Sequence, residues 1–383
     1  MTVTYQLEHS IIEAAAPVEV GHKTGQFWFP TLHQIGTSTL ICAVVRGDDT
    51  AQGQWPGELY VSEDVGLTWR EDLTIESYGH ASVRHDESTT LMMPYEFWPA
   101  SPGSKTDCIA PGTLLTKSSD GSLEAAARDV RFLGFPSLAP YHNDVLSLLH
   151  SGNLLRLADG SLLTTLYGKL EGDQSKWLAF AAVSEDGGFT WYYRSTIADG
   201  DDASEASEGP NESAVQLLDN GDLLCVCRVS SNHDFYKSYS PDGGATWSKP
   251  TCMEGMWSVQ PRLARLGNGA LVLTCGRPGI FLWLCTDGKG EKWEALNLGA
   301  HHNECTELEG HRFPETFCSA ESDGDPAIST TYTGIMPWKS DGLIVTYDRL
   351  ANGWSSAPGP NGVFDRVFSV VLKILITDME STP

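Results

Sequence analysis

Two near-copies, SEDGGFTW (184–191) and SPDGGATW (240–247), bracket the segment NESAVQLLDNGDLLCVCR, which carries a carboxylate and a cation at Glu212 and Arg228. Glu212 opens one strand of an expected hairpin and Arg228 ends the next. Arg277 in CGRPG ends the equivalent strand of a later hairpin, with Arg262 in VQPRL as its rival, and Arg46 in VVRGDD ends that of an earlier one. A planar guanidinium meets a carboxylate with two parallel hydrogen bonds, so arginines gathered from several strand ends would suit an acidic ligand. The adjacent pair Asp48 and Asp49 follows Arg46 and offers one proton donor. The remaining strand ends supply His80, His142, Tyr95 and Tyr167. An imidazole helped by Tyr or Arg can remove the proton beside a uronate carboxylate, which is lyase chemistry. The acidic run ADGDDASEASEGPNE (198–212) has oxygens for calcium but not the ligand spacing of an EF-hand loop, and reads as a loop rimming the site. Phosphate-binding glycine loops, nucleophile elbows and metal-binding helices are absent from the sequence, so neither a cofactor nor a metal is expected.

These residues need a scaffold that brings strand ends from distant parts of the chain to one point. Internal repeats supply it. SEDVGLTW (62–69) joins the two copies above, and CTDGKGEKW (285–293) is a degraded fourth. In S-x-D-x-G-x-T-W the Asp and Gly make a tight turn, Ser and Thr bond its backbone, and Trp packs back between strands. A second element recurs: an apolar strand, a D/N-G turn, and another strand. It is clearest in 153–168, 213–228, 262–277 and 334–349, and weaker in 29–46 and 80–95. Six such hairpins predict six four-stranded units arranged radially, an all-β six-bladed β-propeller occupying 1–383 as one domain. Units are expected to start near Phe27, Tyr78, Asn143, Pro210, Ser258 and Thr331. A strand near 5–15 would close the ring, an insertion is expected within 97–142, and helical character is confined to GSLEAAARDVRF (121–132).

Composition agrees with short strands and many turns: 38 Gly, 20 Pro, 12 Trp, and only 20% charged residues. The formal net charge of −25 argues against nucleic acid and anionic membranes, which need a basic face. An acidic ligand would have to be held by arginines working against the overall field. The nine cysteines are odd in number, include no C-x-x-C, and several lie in apolar runs, so free thiols are expected rather than disulfides or zinc. No basic segment followed by an apolar core opens the chain, and no apolar run approaches membrane-spanning length, so an intracellular protein is expected.

At this point the sequence resembles the sialidase superfamily. Its repeats look like the Asp-box (BNR) motif of six-bladed sialidase propellers, over roughly Gln26 to Phe368. What the resemblance implies is specific. Asn211-Glu212-Ser213 is similar to the segment carrying the family's Glu base, and Arg228 and Arg277 match its second and third arginines. Tyr332 in TTYTGI corresponds to the nucleophilic Tyr, one of Asp48 and Asp49 to the acid/base, and Asp348 to a supporting Glu. Tyrosine nucleophiles are a known exception to two-carboxylate glycoside hydrolysis. The match breaks at the family's first arginine, where Phe27-Trp28-Phe29-Pro30 puts Trp28 in its place and leaves Arg46 as the substitute.

The expectation is an exo-acting glycosidase cleaving sialic acid or a related acidic sugar. Tyr332, Glu212, Asp48 or Asp49 would be catalytic, and Arg228, Arg277, Arg46, Trp28, Asp348 and His80 would bind substrate. The alternatives are a uronate lyase using His80 or His142, and a glycan-binding protein without catalysis.

Overall fold

The computed structural model describes residues 1–49, 56–75, 78–142, 145–203, 205–231, 233–257, 259–318, 328–351, 353–354 and 362–377. The expected unit starts at Asn143 and Ser258 lie outside these.

Strands follow the apolar runs bounded by turns. Trp28–Ile35, Thr39–Val45, Gly57–Ser62 and Arg70–Ile75 form one four-stranded sheet. Asn211–Leu217, Leu223–Arg228, Asp234–Ser240 and Thr251–Trp257 form a second, and Val259–Arg265, Leu271–Gly276, Ile280–Cys285 and Glu294–Asn297 a third. A nine-stranded sheet contains two antiparallel blocks, joined where Leu123–Leu133 runs parallel to Thr190–Ala198. In the last sheet, Thr333–Trp338, Gly342–Arg349 and Asp365–Ile376 are extended by the N-terminal strand Ser10–Ala15, paired from Ser10↔Ile376 to Ala14↔Leu372. The inner strands Trp28–Ile35, Ala81–Arg84, Leu148–Arg156, Asn211–Leu217, Val259–Arg265 and Thr333–Trp338 touch one another in that cyclic order, the last returning to the first.

Apolar side chains of neighbouring sheets make the core. Leu40, Cys42 and Tyr60 pack on Ile344 and Val367, and Leu224 and Val226 pack on Leu263 and Leu273. Each fully buried Leu or Val contributes about 1.5–3 kcal/mol. Sheet-to-sheet burial therefore holds each sheet against its neighbour.

The repeated turns join third to fourth strands. In 62–69, Ser62 Oγ accepts from Gly66 N at 2.8 Å, Asp64 Oδ1 accepts from Thr68 N at 2.9 Å, and Trp69 Nε1 donates to Gly66 O at 3.2 Å. The copies at 184–191 and 240–247 repeat the Ser-to-Gly and Asp-to-Thr bonds.

Residues 121–132 are not helical. Leu123–Leu133 is a strand paired from Leu123 to Phe132 with Cys108–Lys117. Its alanines favour helix locally, but ten paired positions in a sheet override that preference. Both strands complete the sheet begun by Ala81–Arg84 and Thr89–Met93, so much of the expected insertion is that sheet's outer half. The single α-helix among the described residues, Leu298–Cys305, is capped by Asn297, which accepts from Ala300 N at 2.9 Å. Among the described residues no helix is long and apolar enough to cross a membrane.

Candidate active site

The heads of the inner strands are locally strained. Phe29, Glu212, Gln260 and Thr331 all have positive φ, at 50°, 27°, 41° and 63°. The first three coincide with register shifts between Trp28 and Thr31, Asn211 and Ser213, and Val259 and Arg262. A bulge of this kind breaks the alternation of a strand and re-aims a side chain, and such strain concentrates at functional sites.

At the centre, Tyr332 OH donates to Glu212 Oε1. The other carboxylate oxygen, Oε2, accepts from Arg228 Nη1 at 2.8 Å and from Gln260 N at 3.0 Å. Arg228 Nη1 also reaches Tyr332 OH at 3.4 Å. Its Nη2 donates to Ser231 Oγ at 2.9 Å and pairs with Glu208 at 3.1 Å. Phe29 meets the Tyr332 ring edge-on, with centroids 5.0 Å apart. Arg277 donates from Nη2 to Thr330 O at 3.1 Å and lies over the Trp354 ring at 5.1 Å.

The electrostatics separate the two partners. Burial pushes the Glu212 carboxyl up, but the Arg228 charge and hydrogen bond, then the bonds from Tyr332 and Gln260 N, outweigh it and hold the group below the usual range. The Tyr332 phenol is driven up, first by burial and then by the Glu212 charge, against the pull of Arg228 and Arg277. The arrangement is therefore an ionised base bonded to a protonated phenol. Asp49 keeps an exposed edge, but desolvation by the surrounding protein, followed by Glu212's charge, raises its carboxyl; Arg277 and Arg228 oppose this less strongly.

A cavity of about 40 Å³ lies beside Tyr332. Tyr332, Asp49 and Phe29 line it together with Tyr95, His80 and Arg262. Arg262 is buried and spent on carbonyls: Nε donates to Thr333 O at 3.2 Å and Nη1 to Gly152 O, tying two inner strands together. Burial, then Arg262 and His150, push the His80 imidazole well down, against a weaker opposing pull from the Ser151 backbone, so it is neutral. Tyr95 and Tyr167 bond each other through their hydroxyls. His142 lines a separate surface pocket with Tyr141 and Lys105.

Several expectations need correction. Asp48 is held by Gln26 Nε2, while Asp49 faces the cavity. Arg46 does not replace the missing first arginine: its Nε pairs with Glu58 at 3.2 Å and its Nη1 with Gln26 O. Trp28 is buried at 2% exposure, donates to Gly47 O at 3.0 Å, and packs on Phe29 and Trp354 as a wall. Asp348 is wholly buried and is occupied by its own chain rather than facing the cavity. It accepts from Ser329 Oγ and Thr330 N at 2.8 Å each, from Phe29 N at 3.1 Å, and from Thr330 Oγ1, holding the segment before Tyr332 against the head of the first sheet.

Glu208, Gln260, Phe29 and Trp354 belong to the site without any motif announcing them. Glu208 lies in the acidic loop, where nothing in the sequence distinguishes it from its neighbours.

Residues 137–306 match a family described as BNR repeat-like domain. A comparison with curated protein sequences finds no match. Among solved structures, a protein of unknown function from Dyadobacter fermentans is similar at 15% identity and TM-score 0.62, covering 95% of this chain and 99% of its own. An alpha-L-arabinanase from Penicillium chrysogenum, complexed with arabinobiose, is similar at 13% identity and TM-score 0.53, covering 94% and 98%. The NanB sialidase of Streptococcus pneumoniae, as its K499G mutant, is similar at 12% and TM-score 0.52, covering 91% of this chain and 70% of that one. The chain is thus a nearly all-β protein with the fold of sialidases and of an arabinanase. Its resemblance to the sialidase superfamily, first carried by the repeated turns, rests also on the BNR repeat-like match.

Proposed function

We propose that this chain is a six-bladed β-propeller glycoside hydrolase acting on a terminal sugar, with Tyr332 as nucleophile, Glu212 as its base and Asp49 as general acid. The observation that carries this is the Tyr332–Glu212 hydrogen bond, backed by Arg228 and opening on a cavity that Asp49 also lines. The cycle of contacts among six inner strands supports the propeller reading.

In this mechanism Glu212 takes the Tyr332 proton as the phenol oxygen bonds to the anomeric carbon. The bond to the leaving oxygen breaks, and Asp49 protonates that oxygen. Asp49, now a carboxylate, then takes a proton from water. The water oxygen bonds to the anomeric carbon, the tyrosyl bond breaks, and Glu212 returns the proton to Tyr332. Two displacements retain anomeric configuration. Tyr332→Phe is expected to lose about 10³-fold or more in kcat. A variant that turns over substrate at the wild-type rate would rule out the nucleophile assignment. So would an inverted product anomer in a proton NMR time course.

The pH dependence follows from the two carboxyls. Glu212 sits below the usual range, so its base form survives into acid. Asp49 is raised, so its acid form persists to higher pH than an ordinary aspartic acid's and is lost as pH rises through its folded value. The kcat/KM profile is expected to be a bell shifted to acid pH, and Asp49→Asn should remove its alkaline limb. An unchanged alkaline limb in that variant would assign the acid elsewhere.

A further inference from the structure

We infer that the sugar bound beside Tyr332 is uncharged, and that Glu208 sets this preference by filling the arginine that would otherwise receive a substrate carboxylate. The inference rests on the glycoside-hydrolase reading above and goes on to name its substrate class.

A guanidinium offers four Nη hydrogens to a carboxylate approaching its open edge. In Arg228 each is already committed: Nη1 to Glu212 and Tyr332, Nη2 to Glu208 and Ser231. Its Nε is buried and has no hydrogen-bond partner among the described residues. Glu208 is a fixed feature rather than a passing loop contact. Its carbonyl accepts from Trp177 N at 2.8 Å, and the next residue, Gly209, has φ +81° with Trp177 O only 2.7 Å from where a Cβ would stand. Asn211 Nδ2 donates to Glu208 Oε2 at 3.3 Å.

Charge points the same way. Arg228 is set against both Glu212 and Glu208, which leaves Arg277 and the carbonyl-bound Arg262 as the other cations near the cavity among the described residues. Arg277 has one nitrogen on Thr330 O and its face on Trp354. Where a third arginine would be needed stands buried Trp28, and Arg46 is paired with Glu58. A carboxylate entering here would meet Glu212 and Glu208 beside an Arg228 whose Nη hydrogens are already committed, with Arg277, partly spent on Thr330 O, to receive it. An uncharged sugar meets a suitable surface instead. Trp354, 38% exposed, offers a ring for the C–H face, and Glu208 and Arg277 offer polar groups for hydroxyls.

The test uses the full chain with two probes. Aryl glycosides of uncharged sugars, both pyranosides and furanosides, are compared with an aryl α-sialoside and an aryl glucuronide. Binding of 2,3-didehydro-2-deoxy-N-acetylneuraminic acid is measured separately by tryptophan fluorescence and calorimetry. A neutral glycoside should be turned over at least about 100-fold better in kcat/KM than either acidic one, a gap of about 2.7 kcal/mol. Glu208→Gln should tighten the carboxylated glycal by about tenfold or more over wild type, one charge-assisted bond's worth. Equal binding of the glycal by wild type and Glu208→Gln, or better turnover of the sialoside, would overturn the inference while leaving the Tyr332 mechanism intact. Neutral turnover unaffected by Tyr332→Phe would instead overturn the mechanism. A neutral panel that is neither bound nor turned over would sink both.

Discussion

Glu212→Gln is expected to lower kcat by about 10²–10⁴-fold, the usual worth of a positioned general base, with little loss of stability. Glutamine keeps the shape and an oxygen for Arg228 but cannot take the Tyr332 proton. One opposing effect must be weighed. Removing the Glu212 charge also removes a cause of the raised Tyr332 pKa, leaving Arg228 and Arg277 to pull it down. Even at an unperturbed pKa of about 10 only about one phenol in a thousand is ionised at pH 7, so loss of the base wins. Breaking a buried ion pair ordinarily costs about 3–5 kcal/mol because a charge is stranded. Here Arg228 retains Glu208 at 3.1 Å. The urea midpoint should therefore stay within about 1 kcal/mol of wild type at pH 7, well short of the stranded-charge penalty. The variant should also resist acid better. Glu212's folded pKa is depressed, so its stabilisation is present above the unfolded value of about 4.3 and is lost as pH falls through the folded one. Glutamine has no such loss. Near-normal kcat would remove Glu212 from the chemistry, and a collapse in stability would make it a structural residue.

What the sequence reveals here depends on how far apart the bonded partners are. The repeated turn was legible because its hydrogen bonds join residues two to four apart, as Ser62, Asp64, Gly66 and Thr68 do, so the composition of eight residues encodes the shape. The Tyr332–Glu212 pair spans 120 residues and was reachable only through the resemblance. Glu208 escaped because nothing local sets it apart from Glu205, and its partner Arg228 lies 20 residues on. Asp48 and Asp49 could not be separated. They lie beyond the end of strand Thr39–Val45, where strand alternation no longer says which side chain faces the centre. Arg46 failed for a related reason: Glu58 in the neighbouring strand offers it a carboxylate nearer than the site does. In 121–132 local preference favoured helix, and the hairpin partner Cys108–Lys117 decided otherwise.

The same distinction separates residues that react from those that hold them, and Asp348 is the strongest case of the second kind. Asp348→Ala is expected to cost about 3–5 kcal/mol and most of the activity together. Its carboxylate accepts from Thr330 N, Phe29 N and two hydroxyls at 0% exposure. Alanine would remove the carboxylate acceptor from the buried Thr330 and Phe29 N–H groups, at about 1–3 kcal/mol each, before the hydroxyls are counted. Those groups flank strain. Phe29 has φ 50° and Thr331 φ 63°, conformations that cost about 1–3 kcal/mol each and persist only where the surroundings hold them. Released, both segments relax toward ordinary backbone, and the Tyr332 ring, set edge-on to Phe29 one residue beyond Thr331, moves off Glu212. Asp348→Asn discriminates between holding and reacting. It keeps one acceptor oxygen but turns an NH₂ toward donors, so it should fall between wild type and alanine in urea midpoint, with kcat falling in step. A residue that reacted directly would instead lose kcat in the asparagine variant with stability untouched, and that outcome would return Asp348 to the chemistry.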